Sequence, residues 1–149
     1  MMDAIDKKIL NIIQKDFPVV AEPFRAIAEG LGLKESEVLK RVNKLKDEGI
    51  IRRIGAVFDS KKMGYASTLC AAKVPKKRLK EFVAVVNSYA GVTHNYRRSH
   101  EYNVWFTFIA PDDKTLKKSL GEIRDKTGVT DIISMNAAQT FKIDATFEL

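Results

Sequence analysis

Pro23-Phe24-Arg25-Ala26-Ile27-Ala28-Glu29-Gly30-Leu31-Gly32-Leu33-Lys34-Glu35-Ser36-Glu37-Val38-Leu39 is the stretch whose reading decides the fold. Proline is tolerated in the first turn of a helix, where its missing N–H has no partner to lose, so Pro23 opens a short helix over Phe24 to Glu29. Gly30-Leu31-Gly32 is a tight turn. A longer helix follows from Leu33 to Glu48, with Val38, Leu39, Val42 and Leu45 facing inward and Gly49 as its C-terminal stop. Upstream, Ile5, Ile9, Leu10, Ile12 and Ile13 recur at helical spacing and predict a first helix from Ala4 to Lys15, ended by Asp16-Phe17-Pro18. Three helices with a tight turn before the third make a helix-turn-helix. Ile50 to Phe58 reads as a short strand or wing, and Asp59 to Gly64 as a linker.

Beyond the linker the apolar period changes. Ser67 to Val74 reads as a strand, Lys77 to Tyr89 as a helix and Val92 to Ser99 as a strand. A two-residue turn at His100-Glu101 leads to a strand from Tyr102 to Ala110. Asp112 and Asp113 cap a helix to about Lys126, and Ile132 to Phe147 is extended. The order βαββαβ is ferredoxin-like. The expectation is an α+β protein: a winged helix-turn-helix over residues 1–60, then a ferredoxin-like domain over 61–149.

Of the 149 residues, 45% are hydrophobic and 30% charged, the balance of a soluble, globular, cytoplasmic chain. No apolar run is long enough to span a bilayer, and the acidic, amphipathic N-terminus is no signal peptide. The single cysteine, Cys70, excludes an intramolecular disulfide and lies in an apolar run, a core position rather than a nucleophile. No Cys/His cluster has zinc-ligand spacing. The net charge of +7 calls for an anionic partner. Residues 1–60 carry 11 Lys and Arg against 10 Asp and Glu, and residues 61–149 carry 15 against 9, so the excess is C-terminal.

Helix-turn-helix, linker and βαββαβ module, in this order and at this length, resemble the Lrp/AsnC family of regulators. Asp6-Lys7-Lys8-Ile9-Leu10, Ile27-Ala28 with Leu31-Gly32-Leu33, and Arg41-Val42-Asn43-Lys44-Leu45 with Gly49-Ile50-Ile51 carry the likeness. In that family the second module dimerises and binds amino acids, and the first binds DNA. A narrower likeness lies in Gly91-Val92-Thr93-His94-Asn95-Tyr96-Arg97-Arg98-Ser99-His100-Glu101-Tyr102-Asn103-Val104-Trp105-Phe106-Thr107, which resembles the signature of siroheme decarboxylases. Phe17-Pro18, Pro23-Phe24, Ile51-Arg52-Arg53-Ile54-Gly55-Ala56 and Gly64-Tyr65 resemble that group too, although Glu22 stands where many members carry a basic residue. The resemblance implies an enzyme of heme or heme d1 synthesis that converts two acetate side chains of siroheme to methyls, giving didecarboxysiroheme. It also implies a homodimer, or a heterodimer with a paralogous subunit. No cofactor is required beyond siroheme itself, the substrate with its own iron.

The residues of the signature support that reading independently. Alternation puts His94, Tyr96 and Arg98 on one face of a strand. With a two-residue turn, Tyr96 pairs with Trp105 and Arg98 with Asn103, so one face carries His94, Tyr96, Arg98, Asn103, Trp105 and Thr107. Val104, Phe106 and Phe108 face the covering helices. The plain alternative is an aromatic cross-strand pair with solvated arginines. A flat polycarboxylate macrocycle needs aromatic area and paired cationic donors, which Trp105 and Tyr96 with Arg97 and Arg98 supply. His94, His100 and Tyr96 are candidates for proton transfer, and His94 is the first choice for axial contact with the iron. Arg52 and Arg53 in the wing are further candidates for a substrate carboxylate, and Asn103 for hydrogen bonding.

As a DNA reader the third helix should open on basic or neutral polar residues, yet it presents Lys34-Glu35-Ser36-Glu37, whose carboxylates repel phosphate. DNA is therefore not the expected partner. The rivals to an enzyme are an Lrp/AsnC-type regulator with an effector, and a tetrapyrrole sensor or non-catalytic subunit.

Overall fold

The computed structural model describes residues 2–149. It divides into two units: Met1–Val57 with Lys142–Leu149, and Phe58–Phe141. The sequence places the boundary after residue 60 and the whole C-terminus in the second domain. In the structure the last eight residues group with the helical unit.

That unit contains helices α1 (Ala4–Lys15), α2 (Pro23–Leu31) and α3 (Glu35–Asp47). Asp3 caps α1 in a reciprocal box, accepting from the N–H of Asp6 while the Asp6 carboxylate accepts from the N–H of Asp3. Helix α2 runs two residues further than its sequence spacing predicts and ends at Gly32, whose φ of 67° lies in the left-handed region that favours glycine. Ile9, Ile27, Val38, Val42 and Leu45 bury the apolar stripes against one another. Leu39, expected inward, is 37% exposed, because it sits one residue from Val38 and so about 100° around the helix.

Residues 50–58 form no strand. The N–H groups of Ile50 and Ile51 both donate to the Leu45 carbonyl, closing the end of α3, and Ile51 packs into the helical core. The expected wing has no ladder partner among the described residues. At the C-terminus, Phe147 N–H donates to the Gln14 side chain and Lys15 pairs with Glu148, which returns the tail to α1.

In the second unit, β1 (Ala66–Ala72) leads through a 3-10 turn (Lys76–Arg78) into α4 (Leu79–Asn87). Then come β2 (Val92–Arg97), β3 (Val104–Ala110), α5 (Asp113–Thr127) and β4 (Ile132–Met135). The sheet order is β2-β3-β1-β4 and every pairing is antiparallel, the ferredoxin-like arrangement. Burial alternates strictly along β3: Val104, Phe106, Phe108 and Ala110 lie under the helices, and Trp105, Thr107 and Ile109 do not. Phe82 of α4 meets Phe106 edge to face, and Leu116, Leu120 and Ile123 of α5 complete the core. Burying Phe106 contributes roughly 2–3 kcal/mol. The helices cover one face of the sheet, and the other face remains open. Cys70 belongs to the covered face, fully buried, and burial pushes its thiol up to about 11. Among the described residues no helix is long and apolar enough to cross a membrane.

Candidate functional site

The open face is organised in rows across the strands. Tyr96, Trp105, Ala71 and Ile133 are successive ladder partners, and His94, Thr107, Leu69 and Met135 form the next row. The β2–β3 side of this face is therefore aromatic and imidazole-bearing, and the β1–β4 side aliphatic. The Tyr96↔Trp105 pairing is the register expected from a turn centred on His100-Glu101. Trp105 satisfies its indole N–H on the Tyr102 carbonyl at 2.7 Å, which fixes the ring and leaves its faces free for packing. The Tyr96 ring lies 6.1 Å from the His94 ring and carries the Arg98 guanidinium 4.9 Å from its centroid.

A bulge lies between the Val92↔Phe108 and His94↔Thr107 pairs. One extra residue in β2 turns Thr93 back to the side of His94, where regular alternation would have opposed them. Gly91, just before the bulge, allows the close approach: a Cβ there would meet the Ile109 carbonyl oxygen at 2.0 Å and the Phe108 ring at 2.8 Å.

The turn differs from the two-residue loop expected at His100-Glu101. The last ladder pair is Arg97↔Val104, and Arg98 N–H donates to the Asn103 carbonyl across the loop mouth. Three side-chain contacts to other elements hold this longer loop. Glu101 pairs with Lys73 at 3.0 Å, and the ammonium draws its carboxyl below the usual range. The Tyr102 hydroxyl donates to Asp131 at 3.0 Å, which pushes the phenol up. Asn103 exchanges two hydrogen bonds with the Val74 backbone. Within the loop, Tyr102 N–H donates to His100 Nδ1 at 3.2 Å and the two rings stack.

Beside this loop a cleft of about 560 Å³ is lined by Lys76, Leu79, Arg97, Arg98, Ser99, His100 and Asn103. It holds three cationic side chains and no carboxylate. Neither Arg97 nor Arg98 is paired with an acid among the described residues. This is an anion site by composition. A second cleft, of about 380 Å³, lies at the opposite end of the sheet, and Asp112 and Asp113 in its wall disfavour a polyanion.

The structure thus brings His94, Tyr96 and Trp105 to the open face of the sheet with Arg98 over Tyr96, whereas Arg97, the ladder partner of the helix-facing Val104, points to the other side; Arg97, Arg98, His100 and Asn103 meet in the cleft beside the β2–β3 loop. Asn103 has both polar ends of its amide committed to Val74. Arg52 and Arg53 lie in the other unit, both exposed. Sequence reasoning missed Lys76, which the basic run Lys76-Lys77-Arg78 directly before a helix could have signalled, and the placement of Thr93, which only the bulge reveals.

In the helical unit, Arg41 of α3 is enclosed by carboxylates: Asp3 and Asp6 at 2.8 Å each and Glu37 at 3.1 Å. A guanidinium so neutralised offers little to a phosphate.

A helix-turn-helix unit followed by a ferredoxin-like sheet with an aromatic, cation-rimmed open face defines the AsnC-like class of ligand-binding proteins. Two family models agree: the siroheme decarboxylase NirDL-like HTH domain matches residues 6–52 and the AsnC-like ligand binding domain matches residues 62–142. The AsnC family transcriptional regulator from Agrobacterium tumefaciens superposes with a TM-score of 0.78 at 25% identity, covering 98% of this chain and 96% of that one. More specific is the siroheme decarboxylase alpha subunit of Oleidesulfovibrio alaskensis, 51% identical over 99% of this chain and 90% of its own length. The crystal structure of the siroheme decarboxylase NirDL in complex with an iron-uroporphyrin III analogue matches with a TM-score of 0.70 and 37% identity, over 93% of this chain. The chain spans about half the length of that protein, 47%. The chain belongs to the siroheme decarboxylase family.

Proposed function

We propose that this chain is a subunit of a cytoplasmic siroheme decarboxylase that removes CO2 from two acetate side chains of siroheme, giving didecarboxysiroheme for heme or heme d1 synthesis. The observation that carries the proposal is the Tyr96–Trp105 pair with the Arg98 guanidinium above it, next to a cleft lined by Lys76, Arg97 and His100. Aromatic faces take up the apolar area of the macrocycle, and Arg forks grip its carboxylates. The relatives named as subunits support assembly with a second copy or a paralogous chain.

Each decarboxylation consumes one proton: a ring-bound CH2–COO⁻ becomes CH3 and CO2. Protonation of the adjacent ring carbon creates the electron sink, the C–CO2 bond breaks toward the ring to leave an exocyclic methylene, and a proton on that methylene gives the methyl as the ring carbon returns its own. No electron is gained or lost, so no redox cofactor is required. This chain's tasks are to bind carboxylates through Arg97, Arg98 and Lys76, to pack the ring against Trp105, and to move protons through His94, His100 or Tyr96.

The test is anaerobic incubation of the purified chain with siroheme, alone and with a paralogous subunit, followed by mass analysis of the pigment. Stepwise loss of two CO2 supports the reading. Bound but unchanged pigment under both conditions makes the chain a non-catalytic subunit or sensor. Absence of pigment binding, together with salt-dependent duplex binding, makes it a regulator.

A further inference from the structure

Three polar atoms meet where β2 bulges. Thr93 Oγ1 lies 2.7 Å from Thr107 Oγ1, and His94 Nδ1 lies 3.1 Å from the first and 3.3 Å from the second. Two hydroxyl oxygens converge on Nδ1, and two hydrogens fill the three contacts in either tautomer when one of them is shared, but only a proton on Nδ1 leaves the Nε2 lone pair free. If Nδ1 carries the proton, that proton reaches both oxygens while one hydroxyl donates to the other. Every contact then has a hydrogen, and Nε2 of the neutral, exposed ring keeps its lone pair.

His100 is set the other way. The N–H of Tyr102, which can only donate, gives its hydrogen to His100 Nδ1, so the neutral ring carries its proton on Nε2.

We propose that Thr93 and Thr107 are positioning residues that hold His94 as its Nδ1–H tautomer, making Nε2 the axial nitrogen for the iron of a tetrapyrrole, while His100, in the opposite tautomer, offers an Nε2–H. The proposal rests on the tetrapyrrole reading above. A ring nitrogen ligates only through a free lone pair, and the hydrogen bond at the other nitrogen determines which one is free. Iron contact and proton delivery are thereby divided between the two histidines. The bulge has a physical purpose in this account: without it, Thr93 would face away from His94.

The first measurement needs no ligand. Long-range proton–nitrogen correlation spectra of the full-length chain, at a pH where both rings are neutral, are expected to show His94 protonated at Nδ1 and His100 at Nε2. Thr93→Val with Thr107→Val releases His94 to the Nε2–H form, and Thr93→Ser with Thr107→Ser keeps it in place. The second measurement adds iron uroporphyrin III and reads nitrogen ligation by visible and paramagnetic resonance spectra. The valine pair is expected to lower the nitrogen-ligated fraction about tenfold or more, His94→Ala to abolish it, and the serine pair to restore it, with the pigment still bound in every case. His94 found protonated at Nε2 in the unsubstituted chain, or unchanged ligation in the valine pair, overturns the proposal. If no iron uroporphyrin III binds at all, the tetrapyrrole reading falls with it, and the tautomer spectra still decide whether the hydroxyl pair orients His94.

Discussion

Asn103 bridges the Val74 backbone at two points: Val74 N–H donates to Oδ1 and Nδ2 donates to the Val74 carbonyl, both at 2.9 Å. The loop that carries His100 is thereby stitched to the residue two beyond the end of β1. Asn103→Ala leaves a part-buried donor and acceptor without partners, a loss of roughly 1–3 kcal/mol. The expected readout is a lower urea midpoint at unchanged slope. Asn103→Asp, which keeps the acceptor and loses the donor, is expected to fall between the two.

Arg98 lies over Tyr96 with no acidic partner among the described residues. Arg98→Gln is expected to weaken iron uroporphyrin III binding by about 1.5–3 kcal/mol, tenfold or more, the range of a hydrogen bond to a charged group. Arg98→Lys should recover little, because an ammonium neither forks onto a carboxylate nor stacks on a ring. Titration by visible absorbance checks both. Equal affinity in the Lys variant would mean that only net charge matters there.

In the helical unit, Arg41 faces the carboxylate of Asp6, whose side chain is 7% exposed, and that of Asp3. Arg41→Met strands the Asp6 charge and is expected to destabilise the unit by roughly 3 kcal/mol. The pH dependence follows from Asp3. The N–H of Asp6 and the Arg41 guanidinium hold its carboxyl below its ordinary 3.8. A group with a depressed folded value contributes stability in full above its unfolded value, and that contribution is lost as pH falls through the folded one. Helical signal followed by circular dichroism should therefore weaken below about pH 4, and Asp3→Asn should lack this component.

The same ion cluster predicts weak DNA binding. With Glu35 and Glu37 in the first turn of α3 and Arg41 engaged, fluorescence anisotropy on duplexes of random sequence should show nothing tighter than about 10⁻⁴–10⁻⁶ M at physiological salt, the non-specific range. A nanomolar, sequence-selective complex would restore the regulator reading.

Much of this architecture was legible in periodicity. Ala4 to Lys15 is helical at the predicted bounds, and Tyr96 pairs with Trp105 in the register expected from a turn centred on His100-Glu101. What alternation could not show depends on distant partners. Residues 50–58 have strand-like composition, but a strand exists only with a neighbour to pair with. The loop after β2 is longer than two residues because Lys73, Val74 and Asp131, remote in sequence, hold Glu101, Asn103 and Tyr102. The bulge at Thr93 is invisible because a strand with one surplus residue has the same residue types as one without. In the site, the chemistry-bearing residues could be named from the sequence, whereas the Nδ1 partners of the two histidines could not.

That surplus residue sets sheet regularity against chemistry. Excising Thr93 would bring Val92 into register next to His94 opposite Phe108 and Thr107, and give an unbroken ladder. Selection for a robust sheet alone would favour such a deletion, so an insertion at this position is a mark of functional constraint that a stability screen would wrongly remove.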